Sequence, residues 1–348
     1  MEASQFERTL HAAVSDTSSR APDQRNCFFV LTRIVSYRTM EDDDGEKVKR
    51  IEVRRREMKQ TLLVLTYNVW FHQGFHRPPP PRKTPTSGRK KEQLIIDTTE
   101  NFFEERTQGL LKEIKRYDAD VICLQEVTHW SKDIIVGDKD LSDEYELRFD
   151  VLGRYGTAIL IKKKIFVEES FCVTEIPTRM GRTLLHCMVR TVAGLVHVAT
   201  AHFESLSSKD IRRKQLAKAS EVAKSCASCV AHVICGDFNF CSYRNYSGTG
   251  PLENEVLKRE LPNFTDVWPM LYPEKKGYTF DSTSNRNIGK YERMRYDRVL
   301  LANARSETPA LVPLTMRLIG TDPVPGLDRQ PSDHYGLLVT MKIRDADE

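Results

Sequence analysis

Residues 232–239 read HVICGDFN, an apolar run that ends in polar residues. The β-branched Val233 and Ile234 predict a buried strand. Asp237 and Asn239 follow two positions apart, a spacing that points both side chains to one face of a strand. Three further blocks combine an apolar run with polar residues in the same way: LTYNV with Asn68, ICLQEV with Glu126, and PSDHYGLLV with Asp333 and His334.

These blocks predict an active site built on the edge of a sheet, because strand ends can hold side chains from distant parts of a sequence around one point. One such block alone is more often a turn than a site. Four blocks in one chain favour the site. Carboxylate and amide oxygens suit Mg²⁺, and Mg²⁺ beside histidine suits phosphoryl chemistry.

The order and wording of the four blocks resemble the endonuclease/exonuclease/phosphatase superfamily, which includes nucleases, sphingomyelinases and inositol-polyphosphate phosphatases. The resemblance implies an α+β fold, a four-layer αββα sandwich of the DNase I type. It also implies metal-dependent cleavage of phosphoesters. Alternating strand-like runs and two long helical segments, around 99–117 and 209–224, fit a sandwich flanked by helices.

For the metal, we expect Glu126 to make the principal contact with Mg²⁺, for which Mn²⁺ could substitute. A carboxylate that closes a buried strand is costly unless it reaches solvent or binds a cation. Asn68 and Asp333 are expected to support the ion directly or through water, since Mg²⁺ retains several waters.

For catalysis, Asp237 is expected to accept a proton from the attacking water, while the neutral Asn239 donates to a phosphate oxygen. His202 and His334 are expected to offset the charge that builds on the phosphoryl oxygens, and Asn68 belongs to the same catalytic set. Each histidine taken alone could equally be a structural residue, and the role of His202 follows from the resemblance.

Asp297, in RYDRVLL, is expected to orient His334 by accepting a hydrogen bond from its ring. The alternative is a salt bridge from Asp297 to Arg295 or Arg298.

Between the blocks lie the segments TRMGRTLL with Arg182, TAHFES with Ser205, GYTFDSTSNRNIG with Phe280 and RMRYDRVLL with Arg295. These segments resemble those of superfamily members that hydrolyse the bond between a tyrosine and a 5′-phosphate of DNA, and the resemblance covers roughly residues 62–343. The resemblance implies release of a topoisomerase II-derived peptide from a 5′-tyrosyl DNA adduct in DNA repair, leaving a 5′-phosphate. A phenol, with a pKa of about 10, leaves with little general-acid help. The matching segments imply four substrate-binding residues: Ser205 for the phosphate, Phe280 for the wall of a DNA groove, Arg182 for a cation–π contact with the phosphotyrosine ring, and Arg295.

The sequence departs from this pattern at several positions. Cys241 and Ser242 stand where an Arg and an Asp are usual, and Phe280 and Tyr67 each stand where a Trp is usual. Restoring Arg at 241 is therefore expected to strengthen DNA binding. Another phosphodiesterase of the same fold remains an alternative, as do a non-catalytic binding protein and a nucleic-acid scaffold.

Composition sets few limits beyond these. The 348 residues carry a net charge of +4, which permits a polyanionic partner without requiring one. No apolar stretch is long enough to span a bilayer, and the first residues lack the apolar core of a signal peptide. We therefore expect a soluble monomer, nuclear and/or cytoplasmic, with no membrane partner.

The predicted organisation is a disordered segment 1–24, a hairpin extension within 25–60, and a catalytic domain over 61–348. A basic, proline-rich insertion interrupts this domain at 72–91, where an import signal or nucleic-acid contact and a plain solvated loop are equally compatible with the sequence. Among eight cysteines, Cys226 and Cys229 have the C-x-x-C spacing of zinc sites. Buried reduced thiols are the favoured interpretation, because the other cysteines lie in apolar runs.

Overall fold

The computed structural model of the chain describes residues 59–70, 90–246 and 250–344, with side chains of the first helix from residue 102 onward. The predicted N-terminal segment lies wholly outside these residues, and the hairpin extension and the proline-rich insertion lie outside them except for their last two positions, so all three stay predictions. Within the described part of the chain, no helix is both long and apolar enough to cross a membrane.

The strands are, in chain order, Thr61–Asn68 (β1), Val121–Val127 (β2), Tyr145–Asp150 (β3), Gly156–Lys162 (β4), Cys172–Glu175 (β5), Thr183–Thr191 (β6), Gly194–His202 (β7), Ala231–Asp237 (β8), Thr265–Asp266 (β9), Phe280–Asp281 (β10), Arg293–Met294 (β11), Asp297–Asn303 (β12), Leu311–Ile319 (β13) and Gly336–Ile343 (β14). The helices are Lys90–Lys115 (α1), His129–Gly137 (α2), Lys139–Glu144 (α3), Lys209–Ser225 (α4), Val256–Glu260 (α5) and Val267–Leu271 (α6), and a 3-10 turn spans Glu253–Glu255.

Two six-stranded sheets carry the fold. Sheet A has the order β13-β14-β1-β2-β4-β3 and sheet B the order β5-β6-β7-β8-β12-β9, while β10 and β11 form a separate ribbon. Each large sheet contains one parallel pair, β1 with β2 and β7 with β8, among antiparallel neighbours. The carboxyl ends of each parallel pair therefore lie together at one edge of its sheet.

The two sheets pack face to face over one large core. Sheet A contributes residues such as Val64 and Val121, and sheet B contributes residues such as Val198 and Val233. All four are fully buried. Alternate residues along each strand face this core, as the two-residue repeat of a strand requires.

Helices cover the outer faces of both sheets. Leu110, Leu111 and Ile114 of α1 pack on the outer face of sheet A, and Leu216 and Ala219 of α4 pack on that of sheet B. The order helix, sheet, sheet, helix confirms the predicted α+β, αββα sandwich.

Three details differ from the sequence-based expectation. Helix α1 begins at Lys90 rather than near Thr99, so the last two positions of the predicted insertion are helical. Asp333 and His334 precede their strand instead of following it. Six described cysteines are buried and outside any disulfide, whereas Cys172, expected to be a reduced thiol, is disulfide-bonded.

Candidate active site

Four strand ends converge where the two sheets meet at one edge. Asn68, Glu126, His202 and Asp237 lie at or next to the last residues of β1, β2, β7 and β8, the four strands of the two parallel pairs. Because parallel strands end at the same edge, and the two pairs face each other across the core, residues far apart in sequence are brought together.

Two antiparallel strands add the remaining groups from their beginnings. β12 runs opposite to β8, so Asp297, its first residue, lies directly across from Asp237. β14 runs opposite to β1, so Asp333 and His334 in the loop before it arrive beside the end of β1. This direction explains why the fourth sequence block carries its polar residues ahead of the strand.

The backbone is turned sharply at three positions of this edge. Glu126 has φ +62° at a bulge in β2, and Asn239 has φ +54° after β8. Left-handed backbone is uncommon in residues other than glycine and is concentrated at functional sites. Gly236 has φ +133°, and a Cβ there would lie 2.2 Å from the carbonyl oxygen of Ala201, so the step into Asp237 requires glycine.

Asn68 joins the two acidic residues. Its Nδ2 donates to Glu126 Oε1 at 3.1 Å and to Asp237 Oδ2 at 3.0 Å, while its Oδ1 accepts from the backbone N–H of Trp70 at 3.0 Å. The amide therefore has a fixed orientation. Asp237 also accepts from the backbone N–H of Asn239 at 2.8 Å, and the Asn239 side chain donates to the carbonyl of Phe203 at 2.9 Å.

His202 is held as a neutral imidazole with a defined tautomer. Burial and the neighbouring charge of Arg182 lower the pKa of His202 to about 3. Arg182 Nη1 lies 3.0 Å from Nδ1, and because a guanidinium can only donate, Nδ1 must accept. The ring proton then sits on Nε2, which faces Asp237 Oδ2 at 3.4 Å and Glu126 Oε1 at 3.9 Å.

His334 has the opposite charge state. Burial alone would lower the pKa of His334, but the carboxylates of Asp297 and Asp237 raise it well above its ordinary value. Its Nδ1 lies 2.8 Å from Asp297 Oδ2, and its Nε2 lies 3.9 Å from Asp237 Oδ2. The site thus holds one neutral and one protonated imidazole on either side of Asp237. Asp297 therefore contacts His334, as expected. The alternative salt bridge from Asp297 to Arg295 or Arg298 does not form, because both arginines pair with Asp266 instead.

The donor groups of this edge fit a divalent cation. Single ligand atoms of Glu126, His202 and Asp237 lie within 4.8 Å of one another. Burial, together with the charges of Glu126 and Asp237, raises the pKa of Asp333 to about 7 even though His334 and Arg106 act to lower it. Neighbouring carboxylates repel one another when they are all ionised, and a bound cation offsets this repulsion. The oxygen-rich set agrees with Mg²⁺ chemistry.

Three of the four residues expected to bind substrate lie near this centre. Arg182 Nη2 donates to Ser205 Oγ at 3.1 Å, and the guanidinium lies 4.9 Å from the ring centre of Tyr155. Arg182 is buried and already has a cation–π partner within the chain. Phe280 is half-buried and packs edge-on against the His334 ring, with centroids 5.1 Å apart.

The expectation for Arg295 is corrected by the structure. Its side chain is 1% exposed, and its guanidinium forms a two-pronged ion pair with Asp266, with Nη1 3.0 Å from Oδ1. A guanidinium enclosed in this way has no face for a substrate. The reason is local: β9 brings Asp266 beside β12, and a strand of two residues leaves no periodic pattern from which this pairing could be predicted.

Sequence reasoning missed residues that hold the site in place. Ser332 Oγ donates to the backbone carbonyl of Asn68 at 2.6 Å and accepts from the N–H of His334 at 3.2 Å, which ties two of the blocks together. Arg106 of α1 donates to the carbonyls of Val69 and Trp70 at 3.0 and 3.2 Å. Ser332 stands inside a quoted motif and could have been noticed, but Arg106 lies in an ordinary helical pattern.

Known proteins resemble the chain in both sequence and fold. The model of the Endonuclease/Exonuclease/phosphatase family matches residues 65–334. Tyrosyl-DNA phosphodiesterase 2 of Bos taurus is 29% identical over 247 residues, 69% of this chain and 63% of that protein, and the Danio rerio protein is 27% identical over 244 residues, 68% and 62%. The chain thus spans less than two thirds of these relatives. A crystal structure of D. rerio TDP2 complexed with single strand DNA product has a TM-score of 0.61 at 22% identity, over 81% of this chain and 99% of that one.

Proposed function

Because this chain belongs to the Endonuclease/Exonuclease/phosphatase family, we propose that it is a Mg²⁺-dependent phosphodiesterase that hydrolyses the bond between a tyrosine side chain and a 5′-phosphate of DNA. The natural substrate would be DNA carrying a 5′-tyrosyl adduct, such as a topoisomerase II-derived peptide. The observation that supports the hydrolytic part is that Asn68, His202 and His334 all face the Asp237 carboxylate. Glu126 lies beside it, with one ligand atom within 4.8 Å of those of Asp237 and His202.

In this proposal Asp237 takes a proton from the attacking water. Its Oδ1 and Oδ2 accept from Asn239 N and Asn68 Nδ2, which fixes the carboxylate in one plane. A base held in one orientation needs no rearrangement when the water approaches. A bound Mg²⁺, held by Glu126 with Asp333 in support, would polarise the phosphoryl group and offset its charge. Asn68 would orient the Glu126 carboxylate through Nδ2 rather than contribute an oxygen to the ion, because its Oδ1 accepts from the backbone N–H of Trp70.

The two histidines supply donors for the phosphoryl oxygens from opposite sides. His202 presents a neutral Nε2–H, because Arg182 occupies its other nitrogen. His334 presents an imidazolium Nε2–H, because Asp297 and Asp237 raise its pKa. Donors already aimed where negative charge develops are among the largest contributors to catalysis of this type. The phenolate of tyrosine is a good leaving group and needs no separate acid.

The choice of substrate rests on the relatives and on the aromatic border of the site. The curated relatives are tyrosyl-DNA phosphodiesterases, and the similarity extends over more than two thirds of this chain. Phe280 lies against His334 and Tyr296, with ring centroids 5.1 and 5.7 Å away. An aromatic side chain next to the reacting phosphate supports stacking of a nucleobase.

The test is tyrosine release by the purified full chain from a single-stranded 5′-phosphotyrosyl oligonucleotide with Mg²⁺. We expect a 5′-phosphate product, and much slower turnover of a 3′-linked tyrosine, an internal phosphodiester, sphingomyelin and an inositol phosphate. Asp237→Asn serves as the control for contaminating nucleases and should lose at least about two orders of magnitude in kcat. Faster cleavage of a lipid or inositol phosphate would contradict the proposed substrate and leave the hydrolase assignment standing.

A further inference from the structure

A second group of potential metal ligands lies on the outer face of sheet B, away from the edge described above. His186 is in β6 and His197 in β7, both on the face turned away from the inter-sheet core, since Cys187 and Val198 beside them face that core. His197 precedes His202 by five positions on the same strand, which places it roughly 17 Å from the active-site end.

Both histidines are buried, and His197 has no hydrogen-bond partner among the described residues. His197 is 0% exposed, and both of its ring nitrogens lack a hydrogen-bond partner within the described part of the chain. His186 is 5% exposed, and its Nε2 contacts Thr174 Oγ1 at 3.0 Å. The two rings pack edge to face, with centroids 5.2 Å apart. Buried polar groups normally have a partner, so an enclosed imidazole with none calls for a physical explanation.

A thiol completes the group from the end of α4. Cys226, the residue that caps this helix, is buried and free, and one ligand atom from each of His186, His197 and Cys226 lies within 4.8 Å of the others. Cys229 follows in a turn in which its N–H donates to the carbonyl of Cys226 at 3.0 Å, and it too is a buried free thiol. Of the C-x-x-C pair, it is Cys226 whose thiol lies beside the two histidines, which only the folded sheet brings near.

Two imidazole nitrogens and a thiol form a soft donor set. Such sets select Zn²⁺ over Mg²⁺, whereas the active site offers carboxylate and amide oxygens with imidazole and no thiol. Bond lengths of 2.0–2.3 Å in a tetrahedral zinc site put donor atoms roughly 3.5 Å apart. A modest inward movement of the Cys226 side chain and the two rings would reach that spacing.

We propose that His186, His197 and Cys226 bind a structural Zn²⁺ ion, with Cys229 as the candidate for the fourth position. On binding, zinc–nitrogen bonds form to the neutral imidazoles and a zinc–sulfur bond forms as the Cys226 thiol releases its proton to solvent. The ion would join β6 and β7 to the segment between α4 and β8, behind the strands that end in His202 and Asp237. It would act as a fixed support of sheet B without taking part in hydrolysis.

Cobalt substitution tests this directly, because a cobalt–thiolate bond gives a near-ultraviolet charge-transfer band that carboxylate and imidazole ligands do not. The full chain is stripped with a chelator and titrated with Co²⁺ under a thiol-free reductant. We expect the band to saturate at one Co²⁺ per chain, to bleach when Zn²⁺ is added, and to remain in the active-site variant Glu126→Gln.

The decisive comparison is between two variants that each replace one buried cysteine with alanine, one at the proposed site and one on the other side of sheet B. Cys226→Ala should lose at least half of the band and Cys226→Ala/Cys229→Ala all of it, while Cys187→Ala, whose thiol faces the inter-sheet core, should keep it. His197→Gln should weaken cobalt binding by at least tenfold, with circular dichroism confirming that each variant is folded. The proposal is overturned if the wild-type chain develops no band at saturating Co²⁺, a result that requires no variant to fold. It is equally overturned if Cys226→Ala retains the full band.

Discussion

At the scale of single residues, the site centres on the Asp237 carboxylate. One of its oxygens accepts from Asn68, the other accepts from a backbone N–H, and two imidazoles of unlike charge face it. The neighbours differ in their proposed roles: Glu126 would supply negative charge for a cation, whereas Asp297 contacts His334 Nδ1. Substitutions at these two positions should therefore lower the rate of hydrolysis in different ways.

Glu126→Gln is expected to lower Mg²⁺-dependent hydrolysis by at least about two orders of magnitude, because it removes the ligand charge and keeps the shape. The rate should be measured against Mg²⁺ concentration, with Glu307→Gln, an exposed carboxylate elsewhere, as the control. Turnover near that of the wild type at saturating Mg²⁺ would show that Glu126 is not a principal ligand.

Asp297→Asn is expected to lower kcat by about a hundredfold, since His334 loses the group that orients it and keeps it charged. The raised pKa of His334 means that its proton is retained to higher pH in the wild type. Without the Asp297 charge the proton leaves at lower pH, so the alkaline limb of the pH–rate profile should move toward neutrality. If the profile kept its shape and only the amplitude fell, Asp297 would be acting on the fold instead.

The structure also changes one expectation at position 241. Cys241 is 1% exposed and packs with Met294 and Tyr296, behind the half-buried ring of Phe280. An arginine there would place a charge inside an apolar cluster, which costs more than a surface contact with DNA could return. We therefore expect Cys241→Arg to destabilise the chain, contrary to the gain in DNA binding that sequence comparison alone suggests.

At the scale of elements, the sequence predicted well those strands that are buried and regular. β2 and β8 were predicted from their runs of apolar residues. β13 was not predicted, because Pro313 interrupts its apolar pattern. The strand tolerates this proline because β13 lies at the edge of sheet A and its pairing with β14 shifts between Pro313 and Thr315. Two-residue strands such as β9 carry no periodic signal at all, yet β9 delivers Asp266 to two buried arginines.

Those contacts make Asp266 the clearest stability prediction. Arg298 donates to Asp266 Oδ2 at 2.9 Å, to Ser242 Oγ at 2.8 Å and to the carbonyl of Phe240 at 2.9 Å, and it is fully buried. Asp266→Asn leaves two enclosed guanidiniums without a countercharge and should cost about 3–5 kcal/mol in the free energy of unfolding. Urea denaturation at pH 7 measures this.

The destabilisation caused by Asp266→Asn should depend on pH, and this dependence serves as a control. Burial acts to raise the pKa of Asp266, but Arg295 and Arg298 lower it overall, so the stabilisation is present above the ordinary value of about 4 and is lost as pH falls through the lowered one. The difference between wild type and Asp266→Asn should therefore shrink below about pH 4. Asp328→Asn, which breaks an exposed ion pair with Arg286, should cost less than about 1 kcal/mol at any pH.

At the scale of the whole molecule, the site exists because two sheets present their edges to each other. Asn68 and Glu126 come from sheet A, while His202 and Asp237 come from sheet B. The sequence blocks identified most of these residues, since each ends or precedes an apolar strand. Sequence could not predict which nitrogen of His202 carries the proton, or that Arg182 is enclosed by Tyr155, because both depend on packing between strands that are distant along the chain.

At this scale, Phe280 is the residue that tests whether the proposed binding of DNA can be separated from the proposed hydrolytic step. Phe280→Ala should lower kcat/KM for a 5′-tyrosyl oligonucleotide by about 10- to 100-fold, as expected from loss of a base stack worth about 1–3 kcal/mol. A small aryl phosphodiester, which has no base to stack, should be hydrolysed almost as fast as before. Phe280→Trp restores the aromatic surface and should recover the oligonucleotide rate. Because the Phe280 ring also touches His334, an equal loss on both substrates would mean that Phe280 positions the imidazolium and that the DNA groove lies elsewhere.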